Sequence, residues 1–167
     1  SINSLSTVVA AALSHIPSKK ILSAYPYIKK PLNVSNLTLY KIKNLSPEEK
    51  ASIKTLNLSK MNIPNFDFSE FTGLESLNLS AAKELTANSF NSIPMQAKAS
   101  IKNLNLSGID ITGFDFSDFT SLESLNLSES KGLTADLFNS IPMQAKTSIK
   151  NLDLSCIYID FKDFDKF

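Results

Sequence analysis

The side chains able to do chemistry are few and scattered. His15 is the single histidine and Cys156 the single cysteine in 167 residues. No Ser or Cys motif stands ready for His15 to deprotonate, and no second thiol or imidazole lies near Cys156 to share a zinc ion. There is no phosphate-cradling loop, no dinucleotide fingerprint and no H-E-x-x-H pair, and only four glycines are present. Asp67 and Asp115 sit in turn-forming contexts that need a solvated acid more than a catalytic one. The residues therefore predict a non-enzyme, with no catalytic residue, no metal and no cofactor. What remains is recognition chemistry. Tyr40, followed by Lys41 and Lys43 and joined by Lys60 on the next turn, sets an aromatic ring beside several cations. The series Asn57, Asn78, Asn105, Asn126 and Asp153 offers amides and an acid at regular steps, and Tyr158 marks the far end. These ten residues are the candidate partner-binding positions.

Composition narrows the partner. Net charge is +1, but residues 1–52 carry seven Lys against Glu48 and Glu49, whereas residues 53–167 carry ten Lys against fourteen acids. All 17 basic side chains are Lys, and Trp is absent. Without Arg there is no bidentate clamp for phosphate or guanine, so no nucleic-acid partner is expected. No apolar run approaches the roughly 18 residues of a membrane span, so no membrane partner is expected either. A lone cysteine cannot build a disulfide framework, which favours a reducing, cytoplasmic setting.

The elements that must position these residues come from a repeat. Residues 53–100 and 101–148 align without a gap over 48 positions, 34 of them identical, and a third copy begins at Ile149. Each unit is itself double. IKTLNLS at Ile53 returns as LESLNLS at Leu74, IKNLNLS at Ile101, LESLNLS at Leu122 and IKNLDLS at Ile149, at steps of 21, 27, 21 and 27 residues. A weaker copy, VSNLTLY from Val34, makes six expected strands. Within each, alternate residues face opposite sides. Leu56 and Leu58 point to a core, while Thr55, Asn57 and Ser59 point out. Three outward columns follow, the first from Thr55 to Asn151, the middle from Asn57 to Asp153, the third from Ser59 to Ser155, with Tyr40 replacing Ser in the third. Stacked Asn side chains in the middle column are expected to hydrogen-bond to one another. Lys54, Glu75, Lys102, Glu123 and Lys150 alternate in sign and are expected to form an ion-pair ladder. The longer steps carry helices, with Thr86 and Thr134 as caps. The shorter steps carry FDFSEF and FDFSDF, a core of stacked Phe; all eleven Phe lie inside the repeats.

Strands of the form L-x-x-L-x-L at steps of 20–29 residues resemble the leucine-rich repeat. SESKGLTADLFNSIP, from Ser128, is similar to the cysteine-containing subclass, with Ser130 near that subclass's cysteine. The usual buried Asn after the strand is replaced by Met61, Ala82, Ile109, Ser130 and Ile157, which is closer to the cysteine-containing or ribonuclease-inhibitor-like branches. The resemblance implies an α/β fold, a leucine-rich-repeat solenoid (a short horseshoe) over residues 34–167, and a helical N-terminal cap over residues 1–33. It implies a protein-protein interaction module, either an intracellular scaffold or a microbial effector delivered into a host cell. Ala12 to Leu32 resembles an F-box through Leu13, Ile16, Pro17, Ile21, Leu22, Ile28 and Lys29. That implies an alternative, a substrate adaptor engaging an adaptor subunit of a cullin-RING ubiquitin ligase. The last repeat stops on a Phe cluster at Phe167, so a homodimer through the C-terminal edge is also expected.

Overall fold

The computed structural model describes residues 34–157, with side chains from Thr38 onward. The cap expected over residues 1–33, the F-box-like stretch within it, Tyr158 and the C-terminal Phe cluster of the expected homodimer edge lie outside the described residues.

Five strands form one parallel sheet whose spatial order is the chain order: β1 Thr55–Asn57, β2 Ser76–Asn78, β3 Asn103–Asn105, β4 Ser124–Asn126 and β5 Asn151–Asp153. Register is fixed at every step, Leu56 on Leu77, Leu77 on Leu104, Leu104 on Leu125 and Leu125 on Leu152. A slip by one residue would turn these leucines to solvent, which is why the pattern holds. Parallel neighbours require a crossover, and the chain supplies helices at alternate crossovers. α1 Val34–Lys43 and α2 Pro47–Ser52 precede β1, α3 Ala87–Asn91 and α4 Met95–Ser100 join β2 to β3, and α5 Ala135–Ser140 and α6 Met143–Ser148 join β4 to β5. Thr86 Oγ1 accepts from Ser89 N and Thr134 Oγ1 from Leu137 N, both at 3.1 Å, so the caps stand where the sequence puts them.

One expected strand is corrected. VSNLTLY is not a strand but most of α1, so the sheet has five strands and not six among the described residues, and Tyr40 lies on a helix and not in the third column. The reason is register. Stepping back 48 residues from α4 lands on α2, and from the start of α3 on Leu39 in α1. Ile42 thus takes the place of Phe90, Leu45 that of Ile93 and Lys50 that of Lys98; Ile42 and Leu45 are buried as Phe90 and Ile93 are. This stretch is the helical half of a unit, held by a Ser46–Glu49 capping box with Pro47 in the first turn.

The core is a column of Leu backed by Phe. Leu56, Leu77, Leu104 and Leu125 are at most 2 % exposed, and Phe68, Phe71, Phe116 and Phe119 are as deeply buried. The two Phe loops are bridged by α3. Phe90 stacks on Phe114 at 4.3 Å and on Phe119 at 5.6 Å, with interplanar angles of 11° and 12°. Ser89 Oγ donates to Phe66 O, and Ser92 Oγ accepts from Phe68 N. Ser100 and Ser148 close the helical arcs by donating to Leu74 O and Leu122 O, each at 2.7 Å.

Each strand ends in a left-handed residue. Lys60, Ala81, Gly108, Glu129 and Cys156 have φ between 52° and 70° at one shared position. Around it, no internal Asn is needed: Lys60 N, Ala81 N and Gly108 N donate to the carbonyls of Ser80, Ser107 and Ser128, and Ala82 N and Ser130 N bond back to Leu79 O and Leu127 O.

Ser130 is the exception to this satisfaction. It is fully buried, and its hydroxyl is the only buried side-chain polar atom without a hydrogen-bond partner among the described residues. An orphaned hydroxyl costs about 1–3 kcal/mol. Ala82 fills the same place one unit earlier, so Ser130→Ala is expected to raise unfolding stability by about 1 kcal/mol in urea titration. A loss of stability would mean that the hydroxyl is bonded after all.

Candidate functional site

The outward side of the sheet is built by the alternation of the strands. The first column is Thr55, Ser76, Asn103, Ser124 and Asn151, and the middle one Asn57, Asn78, Asn105, Asn126 and Asp153, with partners aligned residue for residue. Adjacent members stand about 4.8 Å apart.

The middle column is not an amide ladder. Asn57, Asn78 and Asn126 each accept at Oδ1 from the amide of the Ser two residues on, at 2.9 Å, and Asn105 does so at 3.0 Å. Asp153 repeats the geometry toward Ser155. The side chains were expected to bond to one another; they cap the turn after the strand instead, because the Asn-x-Ser spacing brings that amide within reach first. Each Asn Oδ1 is thus engaged in its own turn, and among the described residues no hydrogen bond joins one Asn side chain of the column to the next. The face is therefore a polar column of four amides closed by the Asp153 carboxylate.

The flanking ion-pair ladder forms only at its ends. Lys54 pairs with Glu75 at 3.3 Å and Lys150 with Glu123 at 2.9 Å. No ion pair at Lys102 joins them among the described residues. The hydrogen bond and charge of Lys150, with a smaller effect from Lys102, hold Glu123 below the ordinary carboxylate range. All four paired side chains are well exposed, and such pairs contribute little.

Turn carboxylates give the fold a pH dependence. The amides of Ser69 and Ser117, then their hydroxyls, lower Asp67 and Asp115. The hydroxyls of Thr112 and Ser155, then their amides, lower Asp110 and Asp153. A carboxylate depressed in the folded state adds stability above its unfolded pKa of about 3.9, and that stability is lost as pH falls through the folded value. Tm is expected to hold near neutral pH and to fall steadily with acidification below about pH 4. Asp67→Asn with Asp115→Asn, which keeps the acceptor and removes the charge, is expected to flatten that slope. An unchanged slope would assign it elsewhere.

At the N-terminal side, Tyr40 is 40 % exposed on α1, beside half-buried Lys41 and exposed Lys43. Lys60 is exposed at the left-handed turn after β1. The basic residues thus belong to a helix and to a strand-end turn, not to one strand face. Cys156 is free and exposed. Among the described residues there is no cluster of three His, Cys, Asp or Glu side chains placed to hold a metal, and no helix long and apolar enough to cross a membrane. Comparison with protein-family models, with curated proteins and with solved structures gives no match.

Proposed function

We propose that this chain is a leucine-rich-repeat solenoid, of the cysteine-containing or ribonuclease-inhibitor-like kind, that serves as a non-catalytic protein-binding module. One observation carries this proposal. Five short parallel strands in strict register present two continuous polar columns, and the inward Leu at the centre of each strand from β1 to β4 is buried. Such a surface is extended and polar, and its described residues gather no acid, base and nucleophile at a common point. Repetition spreads contact over several strands. The basic end with Tyr40, Lys41, Lys43 and Lys60 supplies the aromatic and charged anchors that the sheet face lacks.

The test is affinity capture with a paired set of variants. Asn78→Arg with Asn105→Arg places two bulky charges at the centre of the face without touching the core. A partner held by the unaltered chain is expected to be lost with this pair and kept with Ser69→Arg and Ser117→Arg in the exposed Phe loops. A partner retained by the sheet-face pair would overturn the assignment of that face.

A further inference from the structure

Two successive helix-to-Phe-loop joints, 48 residues apart, differ at one place in a way that opens a site. In the later joint, Asn91 at the end of α3 clamps the following Phe loop. Its Nδ2 donates to Gly113 O at 3.1 Å, and its Oδ1 accepts from Asp115 N at 2.9 Å. One unit earlier, the position of Asn91 is held by Lys43, that of Gly113 by Asn65 and that of Asp115 by Asp67. Asn65 keeps the left-handed backbone of Gly113, with φ of 52° against 77°, so the loop has the same turn. Lys43 has no acceptor to offer. Among the described residues neither Asp67 N nor Asn65 O has a hydrogen-bond partner. A cleft of about 250 Å³ lies there, lined by Lys43, Lys50, Asn65, Phe66, Asp67 and Phe71. Lys50 is already committed, paired with Glu70 at 2.6 Å and lying over the Phe71 ring.

We infer that this cleft receives the side-chain carboxamide of an Asn or Gln from a partner polypeptide. The unit that follows shows the complement: a planar amide giving one hydrogen bond and taking one, carried on the residue after an aromatic ring that stacks on the loop. A carboxylate could accept from Asp67 N but would set two acceptors against each other at Asn65 O. The floor of Phe66 and Phe71 suits a flat apolar neighbour of the amide. In the cleft Lys43 matters only because it leaves the clamp position without an acceptor, apart from any anchoring by its charge, and no residue of the sheet face takes part.

The test follows the backbone amides of the full chain by NMR during titration with the capped peptide Ser-Phe-Asn-Ser, the chain's own sequence from Ser89 to Ser92. The Asp67 amide is expected to shift saturably at millimolar peptide while the Asp115 amide stays still. Lys43→Asn should supply the missing clamp from within and abolish the shift. Lys43→Ala, which empties the position without filling it, should keep it. The same peptide with Asp in place of Asn should bind at least tenfold more weakly. Absence of a saturable shift in the unaltered chain, equal binding of the Asp peptide, or loss of binding in Lys43→Ala would each overturn the inference. A shift with benzamide but not with the peptide would overturn the polypeptide source. The Asn78→Arg/Asn105→Arg pair is expected to titrate like the unaltered chain, so the face and the cleft succeed or fail separately.

Discussion

Replacing Phe90 by Ala is expected to destabilise the chain by about 3–5 kcal/mol, the range for emptying a fully buried aromatic site. Phe90 is 0 % exposed and touches three rings of the next loop, Phe114, Phe116 and Phe119, at 4.3, 5.7 and 5.6 Å. It also sits between Ser89 and Asn91, whose side chains reach the preceding and the following loops respectively. Removing the ring therefore leaves a cavity and loosens the joint between two units. Ile42 fills the same place one unit earlier, so Phe90→Ile provides an internal control, expected to cost less than half as much. Equilibrium urea unfolding measures both. A cost below about 1 kcal/mol for Phe90→Ala would show that α3 does not link the two Phe loops.

Gly132→Ala is expected to cost about 2–4 kcal/mol, for two reasons that add. Its φ is +83°, where a Cβ costs roughly 1–2 kcal/mol. A methyl group would also meet Thr112 Oγ1, with Thr112 N at 2.8 Å and Asp110 Oδ1 at 2.9 Å. Those atoms are not free to yield, because Asp110 Oδ1 accepts from both the amide and the hydroxyl of Thr112. The sister position, Glu84, has φ of 59° and a side chain, and its loop has Asn62 and Pro64 in place of Asp110 and Thr112. Thermal unfolding is expected to show a large drop for Gly132→Ala and a gain for Glu84→Gly. Equal, small changes at both sites would mean that the Asp110–Thr112 turn does not crowd Gly132.

The residues that could be read in advance are those whose role follows from periodicity. The inward Leu of β1 to β4, the burial of the short-arc Phe and the threonine caps of α3 and α5 each follow from spacing. The short-arc rings, however, lie tilted or edge-on to one another, and the stacking partner is Phe90 of α3. The misread segment, Val34 to Tyr40, shows where periodicity stops. Leu37 and Leu39 alternate as in a strand, yet α1 runs through them, because short apolar patterns do not separate strand from helix. The signal that would have decided it is Lys50-Ala51-Ser52-Ile53, which repeats as Lys98-Ala99-Ser100-Ile101 and marks the stretch before it as the helical half of a unit. At the sheet face, alternation tells which side each Asn takes but not what its oxygen bonds. The cleft at Lys43 could be found only by setting that early unit beside the later one, since a missing clamp has no motif of its own. Left-handed positions were hidden for a similar reason. Lys60, Ala81, Glu129 and Cys156 hold the conformation that Gly108 marks openly.

The central claim is that a partner protein is bound across the outward columns of the sheet. Site-specific photocrosslinking tests it most directly. A photoreactive side chain at Asn103, exposed on β3, reports from the face, and one at Thr147, exposed on α6, reports from the helical side. The account predicts that one partner is captured from position 103 and also from position 124 on the next strand, and not from position 147. Capture of that partner from 147 alone would contradict it.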